Sequence, residues 1–111
     1  MKGADMKYAV MNWIIRPDLV ATSKDTLKAL VEHTAYMKEL EDKGKVLIAG
    51  GFLDGTGGMD IIEVDTLEEA LEISKNDPLV KNNLVRQDIK AYSTDLAARH
   101  KMFTEMYDRA G

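Results

Sequence analysis

Two histidines and no cysteine restrict the catalytic choices in this 111-residue chain. Thiolate nucleophiles, disulfides and thiolate metal sites are excluded together. His33 is a candidate general acid or base, because an unperturbed imidazole titrates at ~6.5, close to working pH. It is equally a satisfied histidine at a helix edge. Asp77 stands directly before Pro78 and reads either as the carboxylate that orients a histidine ring or as the capping Asp of an Asp-Pro turn. Chain spacing cannot join it to His33; only the fold can. Trp13 reads as core or as the wall of a ligand pocket, and Tyr36, one helical step from His33, as a side chain reaching from the core edge towards a cleft. Gly50 and Gly51, adjacent in a strand pattern, mark a bulge or a place where a ligand approaches the backbone. His100 reads as a surface or interface residue. No metal is expected, since no His-x-His or His-x-x-x-His pair exists, and Gly50 to Gly58 lacks the Gly-Lys-Ser/Thr ending of a phosphate loop.

The elements that must position these residues are legible in outline. Val46 to Val64 is an apolar run, a glycine-rich turn at Asp54-Gly55-Thr56-Gly57-Gly58 and a second apolar run, which predicts a hairpin. Met6 to Ile15 reads as a central strand, apolar on both faces and ended by Pro17. A helix capped at Thr22, Ser23 or Asp25 runs to about Lys43 and stops at Gly44. Its apolar stripe is read as Leu27, Leu30, Val31, Thr34, Met37 and Glu41, with Leu40 beside it and His33 and Tyr36 on the border. Thr66-Leu67-Glu68-Glu69 is a capping box opening a second helix, with Leu67, Ala70, Leu71 and Ile73 as its apolar positions, which must end before Pro78. Val85 to Tyr92 alternates as an edge strand with charges on one face. From Ser93 onwards a further helix, capped by Ser93 or Thr94, carries Leu96, Phe103, Met106 and Tyr107 on its apolar side.

The order βαββαβ is the ferredoxin-like arrangement, one antiparallel sheet with its helices on one face. Apolar residues on the other face call for a second sheet packed against it, as in a dimeric α+β barrel, and so for a homodimer or higher homo-oligomer. Residues 1–93 are read as the ferredoxin-like domain and 94–111 as a helical extension. A net charge of -4 without a basic block argues against nucleic acid. No window approaches the ~20 apolar residues of a membrane span, and no apolar stretch follows a basic start, so a cytoplasmic protein is the expectation.

Taken together, the residues resemble the YCII-related family. The resemblance runs through His33-x-x-Tyr36-Met37-x-x-Leu40, then Gly44-x-x-Leu47-x-Ala49-Gly50-Gly51, then Glu68-Glu69-Ala70 and Asp77-Pro78, and covers roughly Tyr8 to Tyr92. It implies a dimeric α+β barrel with a cleft lined by a His-Asp pair, here His33 and Asp77 as catalytic residues, with Tyr36, Trp13, Gly50 and Gly51 as substrate-binding candidates. The family includes a dehydrochlorinase of a chlorinated hydroxyquinol, and muconolactone isomerase is a fold neighbour. The resemblance thus implies a cofactor-independent enzyme that moves a proton on a small cyclic or aromatic-derived substrate. Two other functions fit the same architecture: a non-catalytic small-ligand-binding or assembly domain, and a cofactor-free or haem-degrading monooxygenase. The chain departs from the family pattern in lacking an Arg before the helix histidine and a Pro after the strand glycine, and in having Tyr92 where a Trp often ends the last strand.

Overall fold

The computed structural model describes residues 7–18 and 23–111. The start of the first predicted strand at Met6 and the candidate cap Thr22 lie outside the described residues. Eight elements follow in order: β1 (Tyr8–Ile15), α1 (Lys24–Asp42), β2 (Val46–Gly51), β3 (Gly57–Glu63), α2 (Leu67–Lys75), α3 (Pro78–Lys81), β4 (Val85–Tyr92) and α4 (Leu96–Ala110). The strands form one antiparallel sheet in the order β2-β3-β1-β4. The architecture is thus the α+β, ferredoxin-like one, with β1 central and β4 at an edge.

Strand alternation divides the sheet into two faces. Ala9, Met11 and Trp13 of β1 are buried together with Ile62 of β3, Val64 just beyond it and Val85 of β4. They face the helices in two apolar clusters. One joins Ala9, Met11, Ile62, Val64 and Ala70; the other joins Trp13, Ala29, Leu79 and Val85. The opposite face presents Val10, Ile14, Ile48, Met59 and Ile61, which are exposed or half-buried.

The local signals act largely as the sequence dictates. Ser23 caps α1 by accepting from the Thr26 N–H at 3.2 Å, and Gly44, at φ 76°, follows the helix in the left-handed conformation that favours glycine. Thr66 accepts from the Glu69 N–H at 3.1 Å while Glu69 Oε1 accepts from the Asp65 N–H at 3.0 Å, so the capping box is formed one residue out of its usual return register.

Four expectations are corrected. The buried face of α1 is Thr26, Ala29, His33, Met37 and Leu40, and Leu27 and Val31 are exposed. Met37 and the neighbouring Leu40 are where the sequence put them, but the rest of the buried face is turned towards smaller and more polar side chains, so His33 lies at its centre and not on its border. In α2 the buried residues are Ala70 and Ser74, while Leu67 and Leu71 are exposed, because the face turned inward carries small residues that allow close approach. The bulge lies between Val46 and Ile48, with Leu47 as the extra residue, and not at Gly50-Gly51. It reverses the alternation of β2, so that Ala49 pairs with Asp60, and Gly51 with Gly58, on the helix side. Finally, α4 is capped by Asp95, which accepts from the Ala98 N–H at 2.9 Å, with Ser93 Oγ accepting from the Asp95 N–H. None of the residues of α4 is buried.

Candidate active site

His33 projects from the middle of α1 towards the sheet and is 6% exposed. Its Nδ1 lies 2.9 Å from each carboxylate oxygen of Asp77, which is 2% exposed. A carboxylate only accepts hydrogen bonds, so the arrangement requires the proton on Nδ1 and leaves Nε2 as the nitrogen open to a ligand.

Both sequence readings of Asp77 are realised in one side chain. Asp77 has extended backbone (φ -69°, ψ 129°), as a residue before proline must, and its Oδ1 accepts from the Leu79 N–H at 2.8 Å to cap α3. The cap fixes the carboxylate, and the carboxylate fixes the imidazole. The second partner of the ring is Trp13, whose indole meets it edge-to-face with centroids 5.2 Å apart and an interplanar angle of 64°. Trp13 in turn requires Gly58. A Cβ at residue 58 would collide with the indole ring and with the Gly50 carbonyl, so this glycine is the seat of the tryptophan.

These residues line a cavity of about 330 Å³ between α1 and the β2–β3 hairpin. Its wall includes Trp13 and His33, the backbone run Ala49-Gly50-Gly51, Met37 and Asp60, with Lys38 and Glu41 also contributing from α1. The volume suits a small, compact ligand. A larger hollow of about 560 Å³ lies where β4 passes into α4, among Tyr92, Ser93, Thr94, Leu96 and Arg99, but no buried titratable side chain faces it.

Tyr36 is not brought to this cavity. Its hydroxyl donates at 2.7 Å to the Ile73 carbonyl, in the last turn of α2, where helix carbonyls lack partners within the helix. Burial is the main cause that raises its phenol above the ordinary tyrosine value, with the nearby charge of Asp77 adding to it. His100 is exposed on α4. Among the described residues, no group of three or more His, Asp or Glu is placed to hold a metal ion, and no helix is long and apolar enough to cross a membrane.

Asp60 is the site residue that motif reading missed. It is 2% exposed, on the inward face of β3. Burial drives its carboxyl up to about 6 from an ordinary 3.8; the neighbouring His33 ring opposes the shift, the Asp77 charge adds to it and the Trp13 N–H opposes it. Asp60 Oδ2 and Trp13 Nε1 are both closed to solvent and have no hydrogen-bond partner besides each other among the described residues. The signal was present in the sequence: Gly58, Asp60, Ile62 and Val64 alternate on one face of a strand that is otherwise apolar, and an acid on such a face costs stability, which marks it as a candidate for a use other than folding.

With this geometry in place, comparison with known proteins shows where the chain belongs. The protein is 35% identical over 71 residues to the uncharacterized protein YjpA of Bacillus subtilis (strain 168), a stretch covering 64% of this chain and 84% of that one. Its fold matches that of 5-chloro-2-hydroxyhydroquinone dehydrochlorinase (TftG) from Burkholderia phenoliruptrix AC1100, solved in complex with 2,5-dihydroxybenzoquinone. The TM-score is 0.65 at 22% identity, over 78% of this chain and 93% of the other. The YCII-related domain matches residues 6–103, nearly the whole described body, and the chain therefore belongs to the YCII-related family.

Proposed function

We propose that the cavity is the active site of a cofactor-independent enzyme in which His33 exchanges a proton with a small cyclic or aromatic-derived substrate. The observation that carries this reading is the buried His33–Asp77 pair at 2.9 Å facing a 330 Å³ cavity. Asp77 holds the tautomer whose Nε2 accepts, and offsets the positive charge the ring gains on taking a proton. Met37 and the Trp13 face supply apolar wall, and Gly50 and Gly51 let a ligand approach the backbone of β2. The fold neighbour named as a dehydrochlorinase and solved with a dihydroxybenzoquinone supports a lyase- or isomerase-type reaction on a hydroxylated ring.

The test is His33→Ala on a substrate found by screening hydroxylated rings, quinones and unsaturated lactones. General-base catalysis contributes about 100- to 10,000-fold, so turnover is expected to fall by that factor. A loss below tenfold overturns the proposal, and unchanged ligand affinity with no turnover in either protein would favour a binding domain.

The same reading includes a homodimer. Val10, Ile14, Ile48, Met59 and Ile61 form an apolar surface on the sheet face away from the helices, and a second copy applied face to face would cover it. The extension from residue 94, with Leu96, Phe103, Met106 and Tyr107 exposed on α4, offers further apolar surface to such a partner.

A further inference from the structure

Asp60 has no part in the proton transfer proposed above, and the sheet gives it no polar company. Its cross-strand neighbours are Met11 on β1 and Ala49 on β2, and Gly58 and Ile62 flank it on the inward face of β3. The group that does meet it is the indole of Trp13. Trp13 pairs with Gly58, one step along that face from Asp60, and a Cβ at 58 would collide with Cε2 and Cζ2 of the indole. The ring edge that carries Nε1 therefore lies where a side chain at 58 would sit. From there its N–H faces the Asp60 carboxylate and favours the charged form. Asp60 Oδ2 and Trp13 Nε1 are both closed to solvent, so this contact lies within the cavity wall and offers nothing to a ligand. We propose that Asp60 is a positioning residue for the His33 base: by holding the Trp13 N–H it fixes the indole, and the indole fixes the imidazole with Nε2 turned to the cavity. The inference rests on the catalytic reading of His33 and adds no contact between Asp60 and substrate.

The geometry at the imidazole shows what the indole adds. Asp77 holds the ring at one atom, Nδ1, and leaves its tilt about that atom weakly held. Trp13 meets the ring edge-to-face, with 5.2 Å between centroids and 64° between planes, and limits that tilt. The indole can do so only while it is itself held, and Gly58 gives it room without a bond. Its one polar atom is bonded by Asp60. A carboxylate is a costly acceptor here, since burial works against its charge, but it binds an N–H more strongly than a neutral oxygen does. The charged or titratable groups around Asp60 are His33 from α1 and Asp77 at the cap of α3. Exposed Lys38 and Glu41 lie on the α1 wall, and Lys38 is held by Asp42 at 3.1 Å.

Trp13 is the single tryptophan and His33 one of two histidines, so both links can be read by NMR in the full chain without substrate. The Trp13 indole N–H resonance should move as the Asp60 carboxyl titrates near about 6, and should stop moving in Asp60→Asn. The His33 ring protons lie in the ring current of the indole. In Asp60→Val, which suits a strand but offers no acceptor, their shifts should move towards those of exposed His100. In turnover, Asp60→Val should lose at least ~tenfold in kcat with KM within ~threefold, and Asp60→Asn, which keeps an oxygen for the indole, should recover most of the loss. Trp13→Phe keeps a ring beside His33 but has no N–H. It should match the valine variant in kcat, and it stands in for that variant should the valine protein not fold. A Trp13 N–H that does not respond to pH, or whose response persists in Asp60→Asn, overturns the proposal. So do His33 shifts or a kcat untouched by Asp60→Val or Trp13→Phe, and an equal fall in the Asn and Val variants, which would assign the effect to charge alone. Turnover kept in His33→Ala refutes the catalytic reading, whereas turnover lost there and kept in Asp60→Val refutes this inference alone.

Discussion

Replacing Asp77 by Asn tests the link between a helix cap and an imidazole tautomer. Both carboxylate oxygens lie 2.9 Å from His33 Nδ1, and Oδ1 also accepts from the Leu79 N–H at 2.8 Å. Asparagine keeps one oxygen, and the backbone N–H can be satisfied only by that oxygen. The amide NH2 is then turned towards Nδ1. Two donors facing each other in a site where the partners are 2% and 6% exposed would cost about 1–3 kcal/mol for each unpaired group. The ring avoids this by moving its proton, so that Nδ1 accepts from the amide and Nε2 carries the hydrogen. An Nε2–H cannot act as a base.

The expected loss in kcat/KM is therefore that of general-base catalysis, about 100- to 10,000-fold, or about 2.7–5.5 kcal/mol of transition-state stabilisation. The tautomer itself is readable without any substrate, from the 15N shifts of the His33 ring, with exposed His100 as the internal reference. The Asp77→Asn protein should show the protonated nitrogen exchanged from Nδ1 to Nε2. Finding Nδ1–H retained, or turnover within tenfold of the native protein, would refute the reasoning that Asp77 sets the ring's proton.

Further consequences can be measured separately. Because burial holds the Asp60 carboxyl at about 6 against 3.8, the folded chain binds this proton more tightly than the unfolded chain does. Its contribution therefore lowers stability as pH rises from about 4 to about 6. Asp60→Asn should raise stability at pH 7 by roughly 1–3 kcal/mol, with the gain fading below pH ~4, as read by urea unfolding at several pH values; no gain at pH 7 would show that the acid is not strained. Gly58→Ala forces the Trp13 indole to move and should cost about 1–3 kcal/mol with a change in the near-ultraviolet tryptophan signal. An unaltered signal would contradict the close packing. Tyr36→Phe removes only the hydroxyl bound to Ile73 and should cost about 1 kcal/mol in denaturation while leaving turnover within twofold; a large catalytic loss would return Tyr36 to the substrate site. Light scattering should give twice the 12.4 kDa chain mass, and Met59→Lys, in the open sheet face, should shift it towards one. A native monomer would rule out the face-to-face pair.

The order of elements was readable because each is marked by local chemistry. Gly44 ends a helix, Thr66 and Glu69 start one, and a turn at 52–56 joins two strands, earlier in the chain than the expected one because Gly57 and Gly58 already pair within β3; each depends on groups within a few residues along the chain. Strand alternation likewise made β1 central and β4 an edge. The faces of α1 and α2 were less legible, since 3.6-residue periodicity gives a stripe but does not say which of two neighbouring stripes turns inward when Ala29, His33 and Ser74 occupy one of them. That was decided by the sheet opposite, where Trp13, seated on Gly58, meets the imidazole.

By itself, then, the amino-acid sequence determined the order of the strands and of α1, α2 and α4, though not the single helical turn of α3, together with the antiparallel ferredoxin-like sheet and the two residue types, histidine and aspartate, from which a proton-transfer site could be built. Only the tertiary structure decided that His33 and Asp77, 44 positions apart, touch, that Asp60 completes the cavity, and that Tyr36 turns away from it. Turns and caps are set by bonds between near neighbours. A site is set by which faces of distant elements bury one another, and that depends on the packing of the whole body.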